Sequence, residues 1–496
     1  MTFLRTLLGL VAAALIVAPA TTTAQTRGKD AVVLAMALEP TGLDPTTAAA
    51  AAIGEVVHYN VLETLVKIRE DGTIGPLLAE RWFVSPDART FTFELRRDVR
   101  FHNGEPFDAS TVKFALERAA AADSTNKDKM TFSAIDAIRI TDPYVVAVRL
   151  KAPNPDFLFH MGLSTAVIVE PKSAATNATQ PVGTGPYRVT NWIRGSSLTL
   201  ERWDGYRDVA KVAMRRVTWR FISDPAAQIA AIMAGDVDAM PRITGKAVEV
   251  FRKDPRYRVT VGGSRAKTIL AINNKRKPLD DVRVRRAISM AIDRKAVISG
   301  AADGFGAPIG SHYVPGALGF VDTTGINPYN PERARALLAE AGVKPPLELT
   351  LRLPPPPYAR QGGEVIAAQL AKVGINARIQ NVEWAQWMSG VFTNKDYDLT
   401  IISHVEPLDL GNFAKDNYYW NYDSPKFRAL FQRITSTGDD AERARLLGEA
   451  QKMIANDAVH AFLYQPQWVS VANARLRGLW KDVPIFANDL AALSWQ

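Results

Sequence analysis

The chain has 496 residues, of which 47% are apolar and 22% charged, with a formal net charge of +9 and no cysteine. That length passes the point at which a single hydrophobic core stops growing, and the apolar share excludes a disordered tether, so two or three packed subdomains with a crevice between them are expected. The missing cysteine excludes disulfides, thiol nucleophiles, thiolate metal sites and a lipid-anchored N-terminal cysteine, and the basic residues are spread among acidic neighbours without the dense tract that a nucleic acid partner requires.

Arg5 is followed by an apolar run from Leu7 to Ala18, then Pro19 and a Thr/Ala stretch. This pattern reads as a secretory signal peptide over residues 1–24, cleaved after Ala24 or, as second choice, after Ala20. The run is shorter than the roughly 20 residues that span a bilayer. Export without disulfides points to a soluble protein of a bacterial periplasm, not a lipoprotein.

The first strand is expected at Ala31–Met36, running into a structured loop through Glu39, Thr41 and Asp44. Residues 48–66 are helix-compatible. From Thr90 to Arg96 apolar and polar residues alternate, placing Phe91, Phe93 and Leu95 on one face of a half-buried strand. His102–Asn103–Gly104 is a turn, Asp108 to Ala121 a helix, and residues 131–151 two short strands. A surface crossover near 174–186 leads to strands at Tyr187–Val189 and Leu198–Leu200, then a helix over 223–235.

A second lobe is expected to start near 270. Asp280 or Asp281 caps a helix with Val284, Ala287, Ile288, Ala291 and Ile292 on its buried face, leaving Arg283, Arg285, Arg286 and Arg294 as a solvated or steering face. Asn330–Pro331 starts a helix that stops at Gly342. A strand at 347–353 breaks at Pro354–Pro357 before a helix over 362–373, and strands follow at 376–382 and 398–402. Such alternation predicts an α/β sheet with ligands beyond the strands' C-terminal ends.

Little in the chain carries catalytic chemistry. Gly183–Thr184–Gly185–Pro186 is too short for a phosphate loop, there is no G-x-S-x-G elbow or H-E-x-x-H pair, and the 6 histidines are scattered. No cofactor, no resident metal and no enzymatic activity are expected. One segment stands out: Ser403, His404, Glu406 and Asp409 follow a predicted strand and lead to Phe413, Tyr418, Tyr419, Trp420 and Tyr422. A carboxylate beside aromatic rings suits a small polar or cationic ligand; a surface loop followed by ordinary aromatic core explains the same residues equally well.

Residues 77–117 carry a specific pattern: Leu77–Trp82, Ser85–Pro86–Asp87, Thr90–Phe93, Asn103–Gly104, Pro106–Phe107, Val112 and Phe114. Val182–Tyr187 with Glu201–Arg202, Asn273–Asn274 with Pro278–Leu279, Val282–Arg283 to Asp293–Arg294, and Tyr329 to Gly342 follow in order. Together they resemble the family 5 extracellular solute-binding proteins, the dipeptide, oligopeptide and nickel binders of bacterial ABC importers. The resemblance implies a two-lobed α/β fold of the periplasmic binding protein (type II) class with an additional subdomain in the first lobe. Lobe I would hold 25–268 plus 467–496, with 66–181 as the additional subdomain, and lobe II 269–466.

It further implies a ligand cleft with Glu39, Thr41 and Tyr187 on one side and Tyr358, Trp387, Ser403, His404, Glu406, Asp409, Phe413 and Trp420 on the other. In the dipeptide binders an acidic residue of the loop resembling 403–412 holds the peptide's ammonium, and an arginine before a Pro–Tyr pair holds its carboxylate. Glu406 and Asp409 match the acid, but Pro356 precedes Pro357–Tyr358 where the arginine would be, with Arg352 and Arg360 as nearby substitutes. Free dipeptides are therefore not expected, and an amine-bearing, amide-capped or carbohydrate-like solute moves up. The implied partners are a small-molecule or short-peptide ligand and an inner-membrane ABC permease, with the protein itself a monomer. The competing readings are an exported hydrolase with a carboxylate-lined cleft and a periplasmic chaperone or solute sensor.

Overall fold

The computed structural model describes residues 28–243 and 245–496. The predicted signal peptide over 1–24 lies outside the described residues. Among those described, no helix is long and apolar enough to cross a membrane.

The first large sheet is built around Ala31–Met36, which pairs in parallel with Arg216–Phe221 and Ala239–Ile243, while Ser197–Arg202 and Tyr187–Ile193 extend it antiparallel. In the second, Leu347–Leu353 runs parallel to Ile375–Asn381 and Leu399–His404, and Lys267–Ile272 adds antiparallel to the last of these. Lys267–Ile272 is buried at every position. Leu270 and Ile272 enter one core with Val284, Ile288 and Leu351, whereas Ile269 and Ala271 enter another with Phe413, Trp420 and Phe462. A strand covered on both faces must be apolar throughout, which makes Lys267 an exception that requires a partner.

The long strand His460–Asn473 joins the two sheets. Its first half pairs with Lys267–Ile272 and its second half with Tyr257–Gly263 and Ala239–Ile243. Ser264–Ala266 crosses beside it, and the two crossings are fastened together. Ser264 Oγ donates to the Pro466 carbonyl at 2.6 Å, and Gln465 Nε2 donates to the Ser264 carbonyl at 2.5 Å. Two lobes joined by such paired crossings form the architecture expected of type II periplasmic binding proteins.

A separate antiparallel sheet, in the order Ala79–Val84, Thr90–Leu95, Val145–Leu150, Ile135–Asp142, makes the additional layer. Phe91, Phe93 and Leu95 point inward as the alternation predicts. Helix Ala109–Ala120 packs on this sheet, started by an Asp108 capping box. The short Gly-Thr-Gly-Pro run has a structural cause: a Cβ at Gly183 would fall 1.9 Å from the Val61 carbonyl oxygen, and one at Gly185 2.5 Å from that of Asn60. His102 locks the run, bonding Gly185 O through Nε2 at 2.9 Å and accepting from Gly183 N through Nδ1 at 3.3 Å. Gly183→Ala is expected to destabilise the protein by about 1–3 kcal/mol through overpacking, read as a lowered urea midpoint with an unchanged slope.

Several boundaries differ from the sequence reading. The helix expected over 48–66 is only Ala51–Val57, because the chain turns at Tyr59 with φ 65 and pairs again at Val66–Ile68. The helix expected at 362 begins at Pro357, which occupies its first turn where no amide hydrogen is needed. Arg285 is not on a solvated face: it is buried, donating to the carbonyls of Leu279, Asp280, Asp457 and Ala458. Arg294 likewise donates to the carbonyls of Phe462 and Asn327.

Candidate functional site at the lobe junction

A cavity of about 470 Å³ lies where the lobes meet. Pro45, Ala48–Ala51, Lys127, Asp128, Phe159–His160 and Val483–Phe486 wall it from the first lobe, Val405–Leu408 from the second, and Ser264–Ala266 and Trp468 from the crossings. The first lobe's small-sheet region also reaches the second lobe directly. Arg443, on helix Asp440–Asn456, is ion-paired with Asp156, and Gly438 sits against the carbonyls of Ser85 and Pro86. The cavity size and mostly apolar wall with a few polar groups suit a small organic solute.

Of the site residues read from the sequence, Glu406 borders this cavity. Its side chain is 65% exposed, and His404 Nδ1 at 3.8 Å holds its carboxyl below the ordinary range. Asp409, three residues on, is different. Its side chain is 6% exposed, with Oδ1 accepting from Lys267 Nζ at 2.5 Å and Oδ2 from His312 Nε2 at 2.8 Å. Burial opposes its ionisation, yet the adjacent His312 and Lys267 win and hold the carboxyl well below the carboxylate range. His312 is itself pushed down to about 4 by burial, Asp409 resisting. The neutral ring therefore donates from Nε2 to the carboxylate, and the positive charge of the cluster is that of Lys267. Lys267 Nζ also donates to the Glu406 carbonyl at 2.5 Å.

His312, His404 and Asp409 offer ligand atoms within 4.8 Å of one another, a spacing that would hold a metal ion. Both Asp409 oxygens are already engaged, however, and the Lys267 ammonium stands where a cation would neutralise the carboxylate.

The other candidates lie away from the cavity wall. Tyr187 is buried in the first lobe, its hydroxyl donating to the carbonyls of Met214 and Leu490. Glu39 accepts from Trp192 Nε1 at 2.9 Å and Gly195 N at 2.8 Å, and Thr41 is exposed beside it. Trp387 donates to Thr400 Oγ1, Tyr358 OH accepts from Ser403 N, and Ser403 Oγ meets Thr268 Oγ1. His404 Nε2 meets Tyr419 OH at 3.0 Å. The Phe413 and Trp420 rings lie 4.6 Å apart, tilted by 32°, inside the second lobe's aromatic core. Of the two proposed substitutes for the missing arginine, Arg352 is paired with Asp396 and Arg360 with Glu383.

The sequence reading did not single out Asp128, Lys127, Lys267 or Arg265. Asp128 and Lys127 look like solvated helix-flanking charges, and a lysine opening an apolar strand is the one signal that could have marked Lys267. Arg265 borders the cavity from the crossing, and among the described residues it makes no ion pair; burial shifts its pKa below the ordinary arginine value.

A profile described as "Bacterial extracellular solute-binding proteins, family 5 Middle" matches residues 73–429. The chain belongs to family 5 of the bacterial extracellular solute-binding proteins. Membership gives it periplasmic solute binding in ABC transport as its general role, in a family of binding proteins and not of enzymes. Similar proteins include the glutathione-binding protein GsiB of Escherichia coli strain K12, 27% identical over 470 residues that cover 90% of this chain and 91% of the relative. Among solved structures, the A. tumefaciens R10 protein AgaA in complex with agropinic acid is 26% identical, with a TM-score of 0.75 and coverage of 94% and 99% of the two chains. HbpA2 from Haemophilus parasuis, at 22% identity, a TM-score of 0.86 and coverage of 94% and 100%, shares the fold.

Proposed function

We propose that this family 5 protein captures a small peptide-like or amine-bearing solute in the 470 Å³ cavity and hands it to an inner-membrane ABC permease. Lobe I, 25–268 plus 467–496 with 66–181 as its added subdomain, and lobe II, 269–466, would close on the solute as a monomer. Closure requires the solute to contact both lobes, so that it favours the closed state over the open one. The observation that carries the solute class is the exposed Glu406 carboxylate on the second-lobe wall, with Asp128 on the first-lobe wall. Two carboxylates from opposite lobes give an ammonium a reason to draw the lobes together. Asp128 keeps one oxygen on Thr165 and has the other to offer. The relatives support a small organic solute of this size: GsiB is named for glutathione, and AgaA holds agropinic acid.

The test begins with native mass spectrometry of the mature protein and identification of the solute that travels with it. For an amine-bearing solute, Glu406→Gln is expected to weaken binding about tenfold or more, the loss of one charge-assisted hydrogen bond. Calorimetric titration reads this directly, and an unchanged affinity removes Glu406 as the anchor. A co-purifying solute without an amine removes the proposed class.

A further inference from the structure

We propose that Lys267 is the permanent occupant of an ammonium-binding site, built from the Asp409 carboxylate and the Glu406 carbonyl, and that it thereby withholds Asp409 from solutes. The inference does not depend on which solute the cavity takes.

Lysine is almost never fully buried without a partner, and Lys267 opens a strand whose every residue is buried. Its side chain is 2% exposed and its Nζ reaches 2.5 Å from both Asp409 Oδ1 and the Glu406 carbonyl oxygen. The remaining Asp409 oxygen is taken by His312, whose side chain is 0% exposed. The Nζ thus has directional acceptors and a counter-charge, which are the components of a primary-ammonium site.

This site lies directly behind the cavity wall. Ala266, the residue before Lys267, lines the cavity, and so do Val405–Leu408, the residues before Asp409. A solute ammonium could engage Asp409 only by displacing Nζ. Glu406 consequently presents its side chain to the cavity while its carbonyl is held from behind. Lys267 is a positioning residue: it fixes the wall loop to the crossing Ser264–Ala266 and sets which acid the cavity offers.

Chemical rescue tests this on the full mature chain. Lys267→Ala removes a segment the size of n-propylammonium. The variant is expected to show a lowered urea midpoint, most of which n-propylammonium restores saturably while n-propanol does not. The wild type, whose Asp409 is already occupied, should gain much less from n-propylammonium than the variant does. Rescue by propanol equal to that by the ammonium ion would show that only volume is missing, and absence of rescue would show that no ammonium site exists; either result overturns the proposal. Should Lys267→Ala fail to fold, Lys267→Met combined with Asp409→Asn, which removes both charges together, is expected to restore the fold that Lys267→Met alone loses. A pair no more stable than the single variant overturns it equally.

Discussion

Lowering the pH from 7 to 5 is expected to remove several kcal/mol of folding stability. His58, His102, His312 and His460 are buried and neutral: burial pushes His58 down to about 3, His102 and His312 to about 4, and His460 well below its ordinary value. Neighbouring cations act in the same direction at three of them, Lys67 at His58, Arg188 at His102 and Arg285 at His460, whereas at His312 Asp409 opposes the shift and Lys267 favours it. In the unfolded chain each ring takes up a proton below about pH 6.5, while the folded rings stay neutral. The unfolded state therefore binds more protons across that window, and stability rises with pH through it. The contribution is fully present above the ordinary histidine range and is lost progressively toward the native values. Each ring contributes about 1–2 kcal/mol to the change between pH 7 and 5. Urea midpoints measured across this range should fall steeply, and calorimetry should register roughly one proton taken up per buried ring on unfolding at pH 5. A midpoint flat between pH 7 and 5 would contradict the neutral burial of these rings.

Asp409→Asn is expected to cost about 3–5 kcal/mol, because it leaves the Lys267 ammonium buried without its carboxylate. Glu406→Gln, on a side chain 65% exposed, is expected to stay within about 0.5 kcal/mol of the wild type while losing solute affinity. The two acids stand three residues apart and divide their effects, one on stability and one on binding. Chemical denaturation of both variants at pH 7 makes the comparison, and equal stabilities would refute the role given to Asp409. Acidification separates this term from the histidine term. Asp409 is held well below the ordinary carboxylate range, so its stabilisation persists above that range and is lost only as pH falls below it.

Much of the fold was legible in local patterns. The alternation over Thr90–Leu95, the helix from Asp108, the cap expected at Asp280 or Asp281 (it is Asp281) and the stripe from Val284 all depend on residues near one another in sequence, and each formed the element its pattern predicts. The Asn103–Gly104 and Gly183–Pro186 motifs were visible as family features. The reason for the second, a backbone approach to Asn60 and Val61 too close for a Cβ and a histidine, His102, tying the run down, joins segments far apart in sequence and has no local signature.

The site was less legible for the same reason. Within 403–413 three ionisable groups, His404, Glu406 and Asp409, suggested ligand chemistry, and nothing in that window separates Glu406 from Asp409. The distinction is made by Lys267 and His312, which arrive from elsewhere in the chain and enclose one carboxylate while leaving the other at the cavity. The aromatic residues after Asp409 pack together in one core of the second lobe, since apolar rings are drawn into whichever core the packing provides. The sequence by itself determined most of the elements, because periodicity, caps and turns are short-range, and its motifs carried the family resemblance. Only the tertiary structure decided which charges are partnered and which remain for a solute, because pairing depends on distance in space.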